Sequence, residues 1–270
     1  MDNRGIGIFD SGLGGLTVMK ELMKLLPGES IVYFGDTGRI PYGTKSVDTV
    51  IKYTKSDINF LKTFNLKMIV AACGTASSIA LPHLTNQYDI PIMGVTEAAS
   101  RAAAKATRNG CVGVIGTAGT VRSGAYKAFI EQEDIAISTV SVACPMFVPL
   151  VESGFAEKEA ARLIAAEYLA PIKESGADTL ILGCTHYPLL SKVIAEIMGD
   201  GVTLINPGES VAQEMHDRLL HADMLSGSEE EASYQFYVSD DPDNFVQLGS
   251  TFLERPIKGH IAQIDIEQYT

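Results

Sequence analysis

Residues 67–78, KMIVAACGTASS, place Cys73 between a buried apolar run and a segment of small residues. The same arrangement returns in residues 179–190, TLILGCTHYPLL, where Cys184 occupies the position of Cys73. A short apolar run bounded by small and turn-forming residues indicates a buried strand, and a strand followed by a helix is the building unit of an α/β fold. The sequence therefore predicts two α/β units, each with a cysteine at the end of a strand.

Short apolar runs alternate with helical patterns along the whole chain. The predicted strands are 5–9, 30–34, 67–72, 91–95, 111–115, 135–142, 179–182, 202–205, 233–238 and 260–264. The helical patterns between them include 16–26, 46–64, 98–108, 121–131, 157–174 and 188–198. Continuous Val, Ile and Leu runs indicate strands covered on both faces, which is typical of parallel sheets with crossover helices.

The predicted fold class is α/β, with two similar domains built on mostly parallel sheets. A chain of 270 residues is long enough for two medium domains. We predict that residues 96–207 form the second domain and that residues 1–95 and 208–270 together form the first. The chain then crosses twice between the domains. An acidic tract at 226–231 is predicted to be a solvated loop.

Charge and composition exclude several classes of partner. The net charge of −12 and the pI of about 4.8 argue against nucleic-acid binding, which favours a basic surface. No apolar run approaches the roughly 18 residues that span a bilayer, and the N-terminus does not resemble a signal peptide. We therefore expect a cytoplasmic protein without a membrane partner. Four scattered cysteines without a CxxC pair indicate free thiols rather than a disulfide framework.

The segment FDSGLGG, residues 9–15, follows the first predicted strand, where open α/β sheets bind ligands. Asp10 and Ser11 leave the strand, and three glycines allow a close approach of backbone amides to a ligand. A dinucleotide loop fits poorly because Thr17 occupies the position of the third glycine, and no Walker lysine follows. A purely structural glycine turn leaves Asp10 unexplained.

A second polar loop, FGDTGRIPYG at residues 34–43, follows the next strand and is rich in turn formers. It is either an ordinary connection with Asp36 as a helix cap, or a lip over a site. In the second interpretation the backbone amides of Tyr42 and Gly43 point inward.

The two strand-end cysteines have a setting that favours reactivity. A buried cysteine is commonly a small hydrophobic residue. A helix that begins directly after it, however, presents free N–H groups and a positive dipole end, which favour the thiolate. We therefore expect lowered pKa values for Cys73 and Cys184. Cys111 opens a strand and Cys144 precedes a proline, so we expect both to be structural.

Other polar residues flank the presumed site. His186 lies two residues after Cys184 and is suited to stabilise its thiolate. No further ligands at metal-binding spacing accompany this pair, and no arginine completes a phosphatase-like Cys-x5-Arg loop. The segment GTAGT, residues 116–120, either holds a carboxylate or simply ends in Thr120 as a helix cap. Glu152 is a surface charge, an ammonium ligand or a group that polarises His186.

In this order, the segments resemble the glutamate racemases, a family of cofactor-independent amino-acid racemases. The matching motifs are FDSGLGG (9–15), FGDT (34–37), PYG (41–43), AACGTASS (71–78), GTAGTVRSGAY (116–126), VPLVESG (148–154) and GCTHYPLL (183–190). The resemblance implies two α/β domains with the active site in the cleft between them. It implies interconversion of L- and D-glutamate without pyridoxal phosphate or a metal, supply of D-glutamate for peptidoglycan, and a homodimer.

The resemblance also implies roles for individual residues. Cys73 acts on D-glutamate with help from Asp10, and Cys184 acts on L-glutamate with help from Glu152 and His186. The positions that match substrate contacts are Asp10, Ser11, Tyr42, Gly43, Gly74, Thr75, Thr117, Thr120, Thr185 and His186.

Gly74 departs from the family pattern, which has asparagine directly after the first cysteine. A lost hydrogen bond costs roughly 0.5–1.5 kcal/mol, so this departure predicts weaker glutamate binding or altered specificity.

Three other functions remain open at this point. Gly74 gives weight to a racemase for aspartate or a related acid. A glutamate-binding regulatory protein on the same scaffold would bind its ligand without changing its configuration. A thiol-dependent hydrolase needs a single nucleophile, so Cys184 would be dispensable.

Overall fold

The structure is a computed structural model that describes residues 1–228 and 230–270. Glu229, part of the acidic tract predicted to be a loop, lies outside the described residues. Ten strands are described, close to the ten predicted positions. They are β1 (Gly5–Asp10), β2 (Ile31–Gly35), β3 (Leu66–Ala71), β4 (Ile92–Gly94), β5 (Cys111–Gly116), β6 (Ser138–Ala143), β7 (Thr179–Gly183), β8 (Thr203–Ile205), β9 (Tyr234–Val238) and β10 (His260–Gln263).

The strands form two sheets in which every pairing is parallel. The six-stranded sheet has the order β10-β9-β2-β1-β3-β4, and the four-stranded sheet has the order β6-β5-β7-β8. We call the first sheet with its helices the first lobe and the second sheet with its helices the second lobe. The predicted α/β fold class is confirmed, while the domain boundaries near residues 95 and 207 stay a prediction.

Helices connect the strands. They are α1 (Leu16–Leu25), α2 (Val47–Leu61), α3 (Gly74–Ile79), α4 (Leu81–Leu84), α5 (Val95–Ala106), α6 (Ala118–Ser123), α7 (Ala125–Glu133), α8 (Phe147–Glu152), α9 (Glu159–Glu174), α10 (Ser191–Met198), α11 (Pro207–His221) and α12 (Pro242–Leu253). None of the described helices is long and apolar enough to cross a bilayer.

Two predicted helices differ from the structure. The predicted helix 121–131 is divided between α6 and α7, because Gly124 adopts a left-handed conformation with φ of 67° and ends α6. The predicted helix 188–198 begins with a 3-10 turn at Tyr187–Leu190 before α10 starts. Cys184 is therefore not followed directly by an α-helix.

The chain passes between the lobes twice, through α5 and α11. Each helix follows a strand of one sheet and precedes a strand of the other. Arg101 on α5 binds Glu214 on α11, with an Nη1–Oε2 distance of 2.6 Å, and Glu133 on α7, with an Nε–Oε1 distance of 3.1 Å. The two connecting helices are thus held side by side.

Strand register brings the predicted site residues to the carboxyl ends of both sheets. In the first lobe Phe9 pairs with Ala71, so the residues that follow β1 lie beside those that follow β3. In the second lobe Gly116 pairs with Gly183, which places the ends of β5 and β7 side by side. A continuous apolar core that contains residues of both lobes supports these ends.

Candidate active site

A cavity of about 510 Å³ lies between the lobes, where the carboxyl ends of both sheets face each other. Eleven of the thirteen site residues predicted from the sequence line it: Ser11, Tyr42, Gly43, Cys73, Gly74, Thr75, Thr117, Glu152, Cys184, Thr185 and His186. Asp10 and Thr120 lie behind this lining and are buried. Two segments more than 100 residues apart thus contribute one cysteine each to the same cavity.

Cys73 sits at the junction of β3 and α3, as the N-cap residue of that helix. Its thiol donates a hydrogen bond to Oγ of Ser11, with a sulfur–oxygen distance of 3.4 Å. Behind it, Asp10 is buried, and its Oδ2 accepts a hydrogen bond from the amide of Gly12 at 3.0 Å. Oδ1 of Asp10 is buried without a hydrogen-bond partner among the described residues. Behind the Cys73 thiol there is therefore a carboxylate oxygen, Oδ1 of Asp10, that is without a hydrogen-bond partner among the described residues.

Cys184 begins a chain of polar contacts on the other side of the cavity. Its sulfur lies 3.9 Å from Nδ1 of His186, and Nε2 of that histidine lies 2.9 Å from Oε1 of Glu152. The carboxylate oxygen accepts from Nε2–H, so we assign the tautomer that leaves Nδ1 free to accept a proton. The edge of the His186 ring meets Phe252 of α12, with 5.0 Å between ring centroids. Histidine orientation is thus fixed from two sides.

The expectation of lowered thiol pKa values is wrong for this structure. Burial, reinforced by the charge of Asp10, raises the pKa of the Cys73 thiol to about 11. Burial also raises the pKa of Cys184, above that of Cys73. The backbone amides that favour the thiolates are outweighed because charge is costly in a buried site. Both groups are therefore thiols in the resting protein, and a thiolate has to form by proton transfer to a neighbour.

Three threonines join the lobes beside the cavity: Thr75 and Thr117 line it, and Thr120 lies behind them. The Oγ1 of Thr75 lies 2.9 Å from that of Thr117 and 3.3 Å from that of Thr120, and the last two are 3.0 Å apart. Thr117 also caps α6 by accepting from the amide of Thr120. The interpretation of Thr120 as the cap is therefore wrong: Thr120 contributes to the hydroxyl cluster.

The loop after β2 lines the cavity with Tyr42 and Gly43, as its interpretation as a lip predicts. Asp36 precedes a 3-10 turn, but its side chain makes no capping hydrogen bond. It binds the hydroxyl of Tyr42 instead, whose oxygen also lies 3.0 Å from Oδ2 of Asp57. Arg39 binds both carboxylates, at 2.6 Å and 2.9 Å. Burial raises the pKa values of Asp36 and Asp57 in spite of the arginine. This buried network holds the lip in place.

Some residues that line the cavity are not among the site residues predicted from the sequence. Cys144, expected to be structural, borders it together with Pro145. Phe245 and Leu248 of α12 close it from the first lobe. These α12 residues follow no motif and lie about 60 residues after Cys184, so only the fold brings them to the site. Among the described residues, no group of three or more His, Cys, Asp or Glu is arranged to hold a metal ion.

The chain has close relatives among known proteins. Residues 7–215 match the family model for Asp/Glu/hydantoin racemases. A glutamate racemase from Geobacter metallireducens is 46% identical over 264 residues, which cover 98% of this chain and 97% of that protein. A crystal structure of a glutamate racemase isoform from Bacillus anthracis superposes with a TM-score of 0.94 at 36% identity, covering 98% of both chains. The glutamate racemase from Francisella tularensis, solved with D-glutamate, gives 0.93 at 37% identity over 100% of both chains.

Proposed function

The chain belongs to the Asp/Glu/hydantoin racemase family, and on this premise we propose that it interconverts L- and D-glutamate. The observation that carries the proposal is the pair of thiols, Cys73 and Cys184, that line one cavity from different lobes. A carbon acid bound between them presents one face to each sulfur. Such a pair suits removal of a proton from one face and delivery of another to the opposite face.

The reaction begins with formation of a thiolate. In the L-to-D direction, Nδ1 of His186 accepts the thiol proton of Cys184, and the carboxylate of Glu152 stabilises the imidazolium. The thiolate then removes the Cα proton of L-glutamate. The thiol of Cys73 delivers its proton to the opposite face, which yields D-glutamate and a Cys73 thiolate. Exchange with solvent moves the extra proton from His186 back to Cys73, so that the starting state returns.

In the D-to-L direction Cys73 is the base, and Asp10 takes its proton. Burial raises the pKa of Asp10, which makes this carboxylate a better proton acceptor, and its Oδ1 has no competing partner among the described residues. The negative charge that builds on the substrate needs fixed donors. The hydroxyls of Ser11, Thr75 and Thr117 and the amide of Gly43 belong to residues that line the same cavity as the thiols. We propose that they hold the substrate carboxylates.

We propose that the D-glutamate formed by this reaction is used for peptidoglycan, as the resemblance implies. We further propose that the enzyme is a cytoplasmic homodimer that works without pyridoxal phosphate or a metal. Light scattering after size-exclusion chromatography tests the dimer, and activity after dialysis against a chelator tests the independence from metals.

The decisive experiment follows optical rotation of each glutamate enantiomer with purified protein in deuterated water. We expect racemisation from both sides, with deuterium at Cα of the product and little in the remaining substrate at early times. Cys73→Ala and Cys184→Ala should each abolish turnover. Full activity in either variant contradicts the two-thiol mechanism, and full activity of the Cys184 variant alone points to a single-nucleophile enzyme.

Aspartate is the second candidate substrate, because Gly74 replaces the asparagine that the family pattern has after the first cysteine. A larger kcat/KM for aspartate than for glutamate would favour it. Saturable glutamate binding without any change in optical rotation would instead indicate a regulatory binding protein.

A further inference from the structure

We propose that Gly74 sets the spacing between the two cysteine-bearing strand ends, and so the distance over which protons are transferred. This inference rests on the proposed racemase function and goes beyond it. Gly74 then positions both thiols, besides lacking a side chain that could contact the substrate.

Gly74 and Gly183 meet directly across the cleft. Gly74 follows Cys73, and Gly183 precedes Cys184, so their contact joins the two catalytic segments. A β-carbon placed on Gly74 would lie 2.5 Å from the carbonyl oxygen of Gly183 and 3.4 Å from its carbonyl carbon. The φ angle of Gly74 lies outside the left-handed region, so the backbone itself accepts any residue. The next atom in distance from this β-carbon, Oγ1 of Thr120 at 3.9 Å, is in ordinary contact.

Other glycines in the cleft differ in what they face. A β-carbon on Gly14 would meet the side chains of Thr185 and His186, and one on Gly43 would meet the side chain of Thr117. A side chain can relieve a close contact by rotation about its own bonds, whereas a carbonyl moves only with its backbone. At Gly74 the neighbour is backbone, so relief has to come from a movement of one lobe against the other.

A second glycine gives a graded comparison. A β-carbon on Gly119 would lie 2.9 Å from the carbonyl oxygen of Gly43, which is again a backbone contact between the lobes. Ordinary carbon–oxygen contacts begin near about 3.3 Å, so a side chain at position 74 requires an opening of about 0.8 Å and one at position 119 about half of that. The opening at Gly74 acts directly on the segments that carry the thiols.

Such a displacement is large for proton transfer. A misplacement of about 1 Å in an active site is associated with losses near 100-fold in rate. The spacing role therefore predicts that any side chain at position 74 lowers kcat, because the thiols stand farther from Cα. The missing-contact interpretation of Gly74 predicts the reverse for asparagine, since its amide would add a substrate hydrogen bond.

The experiment compares four variants with the parent protein in glutamate racemisation. Gly74→Ala and Gly74→Asn test the contact, and Gly119→Ala tests the smaller contact. Gly201→Ala is the matched control, because nothing lies within 4 Å of the added carbon and its φ is not left-handed. We expect kcat to fall by about 10- to 100-fold in both Gly74 variants, by about 3- to 10-fold in Gly119→Ala, and by less than about 2-fold in the control.

A rise in kcat/KM for Gly74→Asn, or unchanged kcat for Gly74→Ala, overturns the proposal. If the Gly74 variants do not fold, an unchanged kcat in Gly119→Ala overturns it instead. Crystal structures of Gly74→Ala and the parent provide a test that is independent of activity. The distance between the sulfurs of Cys73 and Cys184 should increase by roughly 0.5–1 Å, and an unchanged distance contradicts the inference. Failure of the proposed function would show differently, as a parent protein that does not racemise glutamate.

Discussion

The carboxylate of Asp10 destabilises the fold at the place where the proposed reaction needs a proton acceptor. Burial raises its pKa, against the opposing effects of His186 and backbone amides. The unfolded chain therefore loses this proton at a lower pH, near the ordinary value of about 3.9. Folding becomes less favourable as pH rises from there through the folded-state pKa. The full cost of burying the charge is present once the pH exceeds the folded-state pKa of Asp10.

Asp10→Asn should therefore stabilise the protein while it impairs turnover. We expect the free energy of unfolding at pH 7 to rise by about 1 kcal/mol, or roughly 2–4 °C in Tm, because the buried charge is gone. Thermal unfolding at several pH values checks this, and the gain should shrink as pH falls below the folded-state pKa of Asp10. A variant that is less stable than the parent at pH 7 contradicts the assignment.

Asp178 is the matched control of opposite sign. Burial acts to raise the pKa of Asp178, but hydrogen bonds from Thr107, Arg108 and Asn109 outweigh burial and lower this pKa to about 2. A lowered folded-state pKa contributes stability that is present above the unfolded value. Asp178→Asn should accordingly destabilise the protein at pH 7.

The contact between Glu152 and His186 should influence only the Cys184 side of the reaction. Glu152→Gln keeps a hydrogen-bond acceptor for Nε2 but removes the charge that stabilises the imidazolium. We expect kcat to fall by about 10- to 100-fold, less than the roughly 100- to 10,000-fold that a general base contributes, because His186 itself remains. The loss in kcat/KM has to be equal for the two enantiomers, because their equilibrium constant is unity. A difference between the Cys184 step and the Cys73 step therefore has to be measured through isotope effects. We call this difference the asymmetry of the reaction.

Substrates deuterated at Cα reveal that asymmetry. In Glu152→Gln the step at Cys184 becomes limiting, so L-glutamate should show a larger isotope effect and D-glutamate a smaller one. Asp10→Asn is the counterpart on the other side and should reverse the pattern. Equal isotope effects for both enantiomers in both variants would mean that these carboxylates do not serve separate thiols.

Individual residues show what the sequence could and could not predict. The two cysteines and His186 were found because their motifs place them at strand ends, where register carries them into one cavity. The direction of the thiol pKa shifts was wrong, because local sequence reports a helix N-terminus but not the burial that outweighs it. The alternative that Thr120 caps the helix was wrong for a similar reason: Thr117 and Thr120 both lie near the start of α6, and only the backbone conformation identifies Thr117 as the cap.

Among the helices and strands, α12 contributes to the site although no sequence motif marks it. It belongs to the first lobe, yet its Phe252 packs against the ring of His186 from the second lobe. Phe252 is buried, and the contact is edge-on, a geometry favoured between aromatic rings. We therefore expect Phe252 to be a positioning residue that holds the histidine between Cys184 and Glu152.

Phe252→Leu should lower kcat more than it changes KM and should enlarge the isotope effect on L-glutamate. Leu253→Ala is the control: Leu253 is a buried neighbour on the same helix, outside the cavity lining, and its loss costs about 2–5 kcal/mol of stability. That variant should lower Tm without altering isotope effects. If Phe252→Leu behaves like the control, the aromatic contact has no positioning role.

Strands were easier to predict than helices, for a physical reason. Parallel strands are covered on both faces, so each produces a continuous apolar run, as in β3 and β7. Helices leave a weaker trace when they are short. The division of α6 from α7 depends on the left-handed Gly124, and the 3-10 turn before α10 depends on how the chain leaves Cys184. Neither conformation is encoded in a hydrophobic pattern.

At the scale of the whole molecule, the cavity exists only while the two lobes face each other. Its walls include residues 11–13, the lip at 41–43 and Cys73 from the first lobe, and Thr117 with residues 183–187 from the second. A bound glutamate that contacts both lobes should tie them together. Since a ligand that binds only the folded protein stabilises it by mass action, glutamate should protect both lobes at once.

With glutamate at about 100 times its Kd, the stabilisation is about 2.7 kcal/mol, or roughly 5–10 °C in Tm for a chain of this size. Calorimetry should show this shift for both enantiomers, and lysine, whose side chain carries the opposite charge, should give none. Hydrogen exchange should slow in residues 9–15 and 71–78 of the first lobe and in residues 116–120 and 183–187 of the second. Protection confined to one lobe would mean that the substrate does not bridge the cleft, and then two thiols on opposite walls could not act on one carbon.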